Sequence, residues 1–480
     1  MDNIMSILQK NFKKFKGEKG ITLVALVITI VILIILATVT INVAFGEGGL
    51  IQRAQQAKNL TEQATRNEQE MLNSVMDEIF KENGTEDNEH ESSANDGTLV
   101  VGPKLSAGMI PVKYVDGTGW IKTNENDEEW YNYGEKKWAN VVLGEATFNQ
   151  LEEDEVLDET KPYSMLVWIP RYAYKITSMY HFGGSGAGNI EIKFLDENNK
   201  DREGNDYNLK VNYPKVTAEG TAEGTMNDFV VHPAFTFGAK ELSGFWIGKF
   251  ETSQGNESTI QIKGGVQSWR TLTLSQMYDN CRSMNEINNI YGMSSDDTII
   301  DPHLMKNTEW GAVAYLSKSI YGKSDEVEVN NNSDFYTGGG IDTAYISNVG
   351  QSTTGNVYGA YDMSGGAYEY TAAYYQLEDA AIEHGLSVVN AQDKYKDVYS
   401  SYQSPSLRGI YGDAIYETSS SSTNKSSWYS DYSWFASLRT PFFRYGGLYN
   451  NDANAGVFCF YNDNGNGSSN GSFRVVVPVL

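Results

Sequence analysis

Cysteine, histidine and basic residues are scarce in this chain of 480 residues. Only Cys281 and Cys459 are present, far apart and without a CxxC spacing, which argues against a disulfide framework and a structural zinc site. The five histidines are scattered singly. Lys and Arg number 37 against 62 Asp and Glu, giving a formal net charge of −25. Because binding to phosphates requires a basic surface, this balance argues against a nucleic-acid partner.

Familiar catalytic motifs are also missing. The chain has no GxSxG elbow, no HExxH helix and no P-loop. Its length allows two or three domains, since single cores stop growing below this size. We therefore predict a modular protein that is not an enzyme and needs no cofactor. We interpret the acidic loop DENNKDREGND at residues 196–206 as a solvated surface loop, and calcium binding by its side chains is the alternative.

The beginning of the chain predicts a membrane anchor. Residues 21–45 are apolar over about the length that crosses a bilayer as a helix, and lysines precede them. The short basic leader that ends in Gly20 and continues directly into Ile21 resembles the leader of type IV prepilins. The resemblance implies cleavage by a prepilin peptidase between Gly20 and Ile21. Ala25 stands where that family commonly has a glutamate, so assembly with pilus subunits stays open.

The composition then changes along the chain and suggests its organisation. We predict a leader at 1–20, a transmembrane helix at 21–45 and an extracytoplasmic helix at 46–82, where apolar residues recur at helical spacing. A polar, acidic linker follows at 83–98, and a C-terminal domain at 99–480. The predicted location is the cell membrane, crossed once, with the C-terminal domain outside the cell. A simple signal anchor or a cleaved secretory signal is the alternative.

From Leu99 onward the sequence favours strands and turns over long helices. Short apolar and aromatic runs are interrupted by Gly, Asn and Asp. Two helices stand out, at 273–287 behind a Thr or Ser cap and at 308–321 capped by Thr308. The first of them places Cys281 on its apolar face, which predicts a small core residue.

Five separated motifs in this part of the chain carry a second resemblance. They are WIPRYAYKI, FWIGKFE, TEWGAVAYLS, GAYDMSGGAYEYT and SFRVV, in that order. These motifs, in this order, resemble those of proteins with the C-type-lectin-like, formylglycine-generating-enzyme-like fold. The resemblance implies an α+β domain with short strands, two main helices and long loops. We interpret the motifs as scaffold, with Arg474 hydrogen-bonded behind the last strand.

The enzymes of that fold oxidise a cysteine and use two closely spaced cysteines that bind copper. This chain has no such pair. A formylglycine-type cysteine oxidase is therefore the weakest of the alternatives.

The end of the chain lacks five residue types that occur elsewhere in it. Residues 441–472 contain no Lys, Glu, Gln, Met or Trp. This stretch resembles the diversified segment in variable proteins of diversity-generating retroelements. There a reverse transcriptase misreads template adenines, so that Asn codons of the form AAY scatter to NNY codons, which encode none of those five residues. The resemblance implies a hypervariable, ligand-binding face within residues 441–474.

The predicted ligand-binding residues within this face are those reachable from Asn codons, together with Asn itself. They are Tyr445, Leu448, Asn450, Asn451, Asp452, Cys459, Tyr461, Asp463, Ser468 and Ser469. Tyr, Ser, Asn and Asp suit a recognition surface, because Tyr supplies contact area and the small polar residues supply adaptable hydrogen bonds. Cys459 is predicted to be an exposed product of diversification. The expected partner is a protein or glycan on another cell or on a phage, and the alternative is a minor pilin or adhesin with a fixed site.

Overall fold

The computed structural model describes most of the chain between Thr98 and Leu480. The described residues are 98–144, 151–178, 180, 187–207, 215–216, 222–223, 228–400, 410–419 and 426–480, and all belong to one unit, His90–Leu480. The strands are β1 (Met109–Val115), β2 (Gly119–Lys122), β3 (Asn140–Leu143), β4 (Ser164–Pro170), β5 (Tyr172–Ile176), β6 (Ile190–Phe194), β7 (Lys215–Val216), β8 (Ala222–Glu223), β9 (Val230–Val231), β10 (Thr236–Phe237), β11 (Lys240–Glu241), β12 (Gly244–Gly248), β13 (Ser253–Gln254), β14 (Ile260–Gln261), β15 (His303–Leu304), β16 (Tyr368–Tyr375), β17 (Asp397–Tyr399), β18 (Phe442–Gly446), β19 (Gly456–Asp463), β20 (Gly471–Phe473) and β21 (Val475–Val477). The helices are α1 (Leu274–Arg282), α2 (Asn307–Lys318) and α3 (Leu386–Asn390).

The larger of the two main sheets, the central sheet, has seven antiparallel strands. Its strand order is β15-β21-β12-β4-β3-β1-β2. In its middle, β4 and β12 pair from Pro170 with Gly244 to Leu166 with Gly248, and every residue of both strands is buried. Because both faces of these strands are covered, they are continuous apolar runs without an alternating polar face.

The second main sheet, the C-terminal sheet, contains most of the predicted variable segment. Its strand order is β17-β16-β18-β19, and β20 also pairs with β16. Strand β16 is parallel to β17 and β20 and antiparallel to β18, which is antiparallel to β19. The register places Arg444 opposite Tyr461 and Phe442 opposite Asp463. Strand β19 is thus the last strand on its side of this sheet.

Helix α1 begins where the sequence predicts. The hydroxyl of Thr273 accepts a hydrogen bond from the backbone N–H of Gln276 at 3.3 Å, and the Gln276 side chain accepts one from the N–H of Thr273 at 2.9 Å. This reciprocal pair is a capping box. Cys281 is fully buried on this helix, as predicted. The helix ends at Arg282, earlier than predicted, and a short 3-10 turn over Ser283–Asn285 follows.

Helix α2 begins at Asn307, so the predicted cap at Thr308 is wrong. The backbone N–H of Lys306 instead donates to the Glu309 carboxylate at 2.8 Å, while Thr308 lies within the helix. Almost every residue of α2 is buried. A Cβ placed on Gly311 would stand 1.8 Å from the carbonyl oxygen of Gly412. Helix α2 is therefore an interior helix, and only glycine allows the chain at residue 412 to approach it so closely.

The fold class predicted from the sequence is wrong. We expected an α+β domain with two main helices behind a transmembrane helix, whereas the described residues form mostly β-sheets with few helices. Within the described residues, the helical spacing of apolar residues extends over short stretches such as α1 and α2. Elsewhere aromatic and β-branched residues predominate in short runs, and these favour strands.

The predicted location also requires correction. Within the described ranges, no helix combines the length and the apolar character that crossing a membrane requires, and the prediction of a single-pass membrane protein is corrected on this finding. The predicted leader with Gly20 and Ile21, the apolar segment 21–45 and the helix 46–82 lie outside the described residues, as does the linker up to residue 97.

Arg474 is part of the scaffold, as predicted, and is fully buried. Its guanidinium forms a bidentate pair with the buried carboxylate of Glu369, in which Nε donates at 2.9 Å. It also donates to the carbonyl oxygens of Gly248 and Tyr361 at 2.7 and 2.8 Å. Through these four hydrogen bonds Arg474 joins Gly248 of the central sheet to Glu369 of the C-terminal sheet and to the loop at Tyr361. The preceding residue, Phe473, is also fully buried.

A buried carboxyl group predicts a pH dependence of stability. Glu417 accepts hydrogen bonds from the hydroxyls of Tyr174 and Tyr315, both at 2.6 Å, and burial raises its pKa from 4.5 to about 7. A carboxyl group with a higher pKa in the folded state binds its proton more tightly there, so its stabilising effect is complete below pH 4.5 and is lost as the pH rises through 7. The unfolding free energy of the wild type should therefore decrease between pH 4.5 and pH 8. In Glu417→Gln, which lacks this titrating group, we expect the decrease to be smaller by about 1–3 kcal/mol.

Denaturant titrations at pH 4.5 and pH 8 measure this difference. Glu128→Gln, at an exposed position, is the control for loss of one carboxylate and should retain the wild-type pH dependence. If the unfolding free energy of Glu417→Gln changes between pH 4.5 and pH 8 as much as that of the wild type, the prediction is contradicted.

Candidate functional site

The outer face of strand β19 carries the centre of the candidate site. Successive side chains of a strand point to opposite faces, so Cys459, Tyr461 and Asp463 share one face while Phe458 and Phe460 occupy the other. Phe458 and Phe460 are buried, whereas Tyr461 and Asp463 are partly exposed. The two phenylalanines anchor the strand in the core, and the face with Tyr461 is directed outward.

A segment distant in sequence, residues 431–435, covers the free edge of β19. The backbone N–H of Phe460 donates to the carbonyl oxygen of Tyr432, and the N–H of Trp434 donates to that of Phe460, both at 3.0 Å. The carboxylate of Asp431 accepts from the N–H of Phe458 at 2.9 Å. The segment alternates like a strand, because Tyr432 is partly exposed, Trp434 is 38% exposed, and residues 431, 433 and 435 are buried.

Three aromatic rings surround that of Tyr461, two from this segment and one from β16. The centroid of its ring lies 5.3 Å from that of Tyr432, 5.8 Å from that of Trp434 and 6.0 Å from that of Tyr368. The guanidinium of Arg444 lies over two of the rings, 4.1 Å from the centroid of Tyr368 and 4.9 Å from that of Tyr461. We call Tyr368, Tyr432, Trp434, Tyr461 and Arg444 the aromatic strip.

Asp463 holds one end of the aromatic strip in place. One of its carboxylate oxygens lies 3.2 Å from Nη1 of Arg444. The other accepts hydrogen bonds from the Tyr370 hydroxyl at 2.7 Å and from the Gly465 N–H at 2.9 Å. Asp463 therefore has structural partners as well as partial exposure, and its substitution would disturb Arg444.

The loop between β18 and β19 adjoins the other side of the strip. The amide oxygen of Asn451 accepts a hydrogen bond from the Tyr368 hydroxyl at 2.9 Å and another from the N–H of Leu448 at 2.7 Å. Gly446 and Gly447 have φ angles of 82° and 81°, a left-handed conformation that glycine adopts without strain. These contacts fix the loop backbone and leave Asn450 and Asp452 exposed.

An open groove lies beside the loop between β19 and β20, residues 464–470. Its volume is about 720 Å³, and Trp269, Arg270, Tyr336 and Ser469 are among its lining residues. Nη1 of Arg270 donates to the carbonyl oxygen of Ser469 at 2.7 Å. The groove is lined mostly by polar side chains and places Ser469 at a surface concavity.

The predicted variable residues fall into three groups by exposure. Asn450, Asp452 and Ser469 are exposed; Asn451, Tyr461, Asp463 and Ser468 are partly exposed; Tyr445, Leu448 and Cys459 are buried. The ring of Tyr445 stacks on that of Trp310 with centroids 5.0 Å apart, and its hydroxyl donates to the carbonyl oxygen of Asp413 at 2.9 Å. The structure thus brings seven of the ten predicted residues to the surface around β19 and its flanking loops.

The prediction that Cys459 is an exposed thiol is wrong. The residue is 1% exposed, because neighbouring side chains cover its face of β19. Its burial raises the pKa of the thiol well above the ordinary value. Cys281 and Cys459 are both free thiols in the structure.

Sequence reasoning missed the strip residues outside the C-terminal segment, Tyr368, Tyr432 and Trp434. The alternation of Tyr432 and Trp434 with Ser433 and Phe435 is the one signal that could have indicated a strand-like segment with an aromatic face. Nothing in the local pattern indicates that this segment lies beside β19.

In the described ranges, no group of three or more His, Cys, Asp or Glu side chains is arranged to hold a metal ion. In the acidic loop, the carboxylate of Asp201 accepts hydrogen bonds from Asn205 and from the hydroxyl of Tyr207, at 2.9, 3.0 and 2.8 Å. These oxygens therefore stabilise the loop itself. Calcium binding stays a prediction.

Comparisons with known proteins find similarity among solved structures. No family model matches the chain, and no curated protein matches it. Among solved structures, Treponema denticola variable protein 1 aligns with 14% sequence identity over 55% of this chain and 91% of that chain, with a TM-score of 0.24. The comparisons give no support for the pilin-like or formylglycine-generating-enzyme-like resemblances. At this score the similarity does not define the fold, and the function proposed next depends on the chain's own residues.

Proposed function

We propose that this chain is a ligand-binding variable protein, in which a constant scaffold presents C-terminal residues that differ between copies of the gene. The observation that carries the proposal is the placement of Asn450, Asp452, Tyr461 and Ser469. All four are exposed or partly exposed, and they project from a strand and two loops whose backbone is fixed by buried neighbours. Such positions can change without unfolding the domain.

The composition of the segment supports diversification at adenines. Lys, Glu, Gln, Met and Trp are missing from residues 441–472, while Asn, Asp, Ser and Tyr are frequent. Random sampling of NNY codons by a reverse transcriptase yields this set. In our proposal the sampling is tolerated at the exposed and partly exposed positions, and the buried Tyr445, Leu448 and Cys459 are constrained by packing.

We further propose that the protein binds without catalysis. The alternative, a cysteine oxidase, needs reactive thiolates. Burial raises the pKa of both Cys281 and Cys459 well above the ordinary value, which disfavours the thiolate in each. Copper-dependent turnover of a cysteine-containing peptide by the purified chain would contradict this proposal.

A display library tests the binding function. Positions 450, 452, 461, 468 and 469 would be randomised with NNY codons, and the library selected on lysozyme and, separately, on streptavidin. We expect clones that bind one probe and not the other. Because these side chains are not buried, the clones should melt within about 4 °C of the wild type.

A matched library, randomised at the buried positions 445, 448 and 459, is the control and should consist largely of unfolded clones. Failure of the first library to yield specific binders, or equal unfolding in both libraries, would contradict the proposal. The alternative, a fixed binding site, is distinguished by sequencing the gene in sibling isolates. Codons for Lys, Glu or Trp at position 461 would exclude adenine-directed change, and an invariant segment would favour the fixed site.

A further inference from the structure

The charge around the groove of about 720 Å³ differs from that of the whole chain. The chain contains 62 Asp and Glu residues and has a formal net charge of −25. None of the eleven described residues that line the groove is acidic, and Arg270 is the one charged residue among them. The groove is therefore a locally basic site on an acidic protein.

The guanidinium of Arg270 is held in place without an acidic partner. It lies 3.9 Å from the centroid of the Phe335 ring, and its Nη1 donates to the carbonyl oxygen of Ser469 at 2.7 Å. Among the residues that the structure describes, its buried Nε has no hydrogen-bond partner, and no carboxylate forms an ion pair with the guanidinium. Most of its N–H donors are therefore left for a ligand.

The positive charge of Arg270 is also poorly compensated. Partial burial lowers the pKa of Arg270, because it disfavours the charged form. The charge of Glu251 would oppose this effect, but Glu251 is itself fully buried, and burial raises the pKa of its carboxyl group well above the ordinary value. A carboxylate brought by a ligand would supply the missing negative charge and the hydrogen-bond acceptors.

We infer that the groove binds an extended peptide segment of another protein, and that an Asp or Glu side chain of this segment pairs with Arg270. The inference rests on the proposed function for the variable rim of the groove, and it goes beyond that function in naming the chemistry of the ligand. A volume of about 720 Å³ lies within the range of roughly 300–1,000 Å³ typical of ligand sites. It accommodates a short segment and not a whole domain.

Two glutamines of the groove indicate how the peptide backbone is bound. Nε2 of Gln254 donates to the hydroxyl of Ser258, and Nε2 of Gln267 donates to the carbonyl oxygen of Asp334, both at 3.1 Å. These bonds orient both amide groups and leave their oxygens as acceptors. An extended peptide carries backbone N–H groups that donate to such oxygens on either side of its acidic residue.

One rim of the groove is the predicted variable loop, which the scaffold holds by main-chain atoms. The N–H of Thr271 donates to the carbonyl oxygen of Ser468 at 2.9 Å, and Arg270 donates to that of Ser469. Every residue has a carbonyl oxygen, so these bonds persist whichever side chains occupy positions 468 and 469. Arg270 is thus a constant anchor, while the exposed side chain at position 469 changes the surface that the peptide contacts.

A library of random dodecapeptides tests the inference, since each member is a short flexible segment. Peptides selected on the full chain would be titrated against the wild type, Arg270→Gln and the control Arg439→Gln, at an exposed arginine that does not line the groove. We expect each peptide to contain an Asp or Glu whose exchange for Asn or Gln lowers affinity about tenfold or more. With Arg270→Gln the same exchange should have little further effect, whereas Arg439→Gln should behave as the wild type.

The exchange within the peptide leaves the folding of the chain untouched, and Arg270→Lys, which keeps the charge, is the second variant if Arg270→Gln melts below the wild type. A library without binders, peptides that need no acidic residue, or acidic residues needed equally with Arg270→Gln would overturn the inference. Binding of sialyllactose that is lost in Arg270→Gln, without acidic peptides, would overturn the peptide assignment in favour of an acidic sugar.

A second selection, on Ser469→Tyr, separates the inference from the proposed function. If both hold, different peptides are recovered, and each still needs its acidic residue. Recovery of the same acidic peptides would contradict the proposed function at this loop and leave the anchor at Arg270 intact. Different peptides that need no acidic residue would overturn the inference and leave the proposed function intact.

Discussion

Replacing Arg474 with methionine is expected to lower the free energy of unfolding by about 3–5 kcal/mol. The substitution leaves the buried carboxylate of Glu369 without its bidentate partner. It also removes the donors to the carbonyl oxygens of Gly248 and Tyr361. Since these groups are buried, water does not replace the lost hydrogen bonds, and each unpaired group adds a desolvation cost.

Urea unfolding of the single and double variants measures this effect. The double variant Arg474→Met with Glu369→Met removes the carboxylate that the single variant leaves without its partner, so we expect it to be more stable than Arg474→Met alone. Asn450→Ala is the control, because Asn450 is exposed, and its effect should stay within about 0.5 kcal/mol. A double variant that is less stable than the Arg474 single variant would contradict the role of the ion pair.

Replacing Tyr445 with serine is expected to destabilise the protein by about 3–5 kcal/mol, although the sequence places Tyr445 among the variable residues. Its ring stacks on Trp310 and is fully buried, and its hydroxyl donates to the carbonyl oxygen of Asp413 at 2.9 Å. Tyr445→Phe keeps the ring and loses only the hydrogen bond, so its expected cost is about 1 kcal/mol.

The matched substitution at an exposed variable position is Asn450→Ser, with an expected change of less than about 0.5 kcal/mol. Chemical denaturation of the three variants gives the comparison. If Tyr445→Ser and Asn450→Ser cost the same, the division between scaffold and variable surface is wrong. If the division holds, natural variants should retain an aromatic residue at position 445 while position 450 changes.

The sequence predicts which residues belong to the site only where the local alternation of side chains determines the face on which each one lies. The alternation of a strand predicts that Tyr461 and Asp463 share a face and that Phe458 and Phe460 occupy the opposite one, and their burial agrees. The same pattern assigns Cys459 to the outward face, where the structure finds it buried. Alternation determines the direction of a side chain, whereas its exposure depends on what else packs there.

The sequence by itself determined the features that neighbouring residues control. The capping box at Thr273 begins α1 because its two partners lie three residues apart, and the buried run SFRVV places Phe473 and Arg474 in the core. Only the tertiary structure decided the extent of the sheets, the burial of Tyr445 and Cys459, and the aromatic strip. Each of these depends on segments far apart in the chain, such as 431–435 against β19, and a hydrogen bond between distant strands leaves no periodic trace in either sequence.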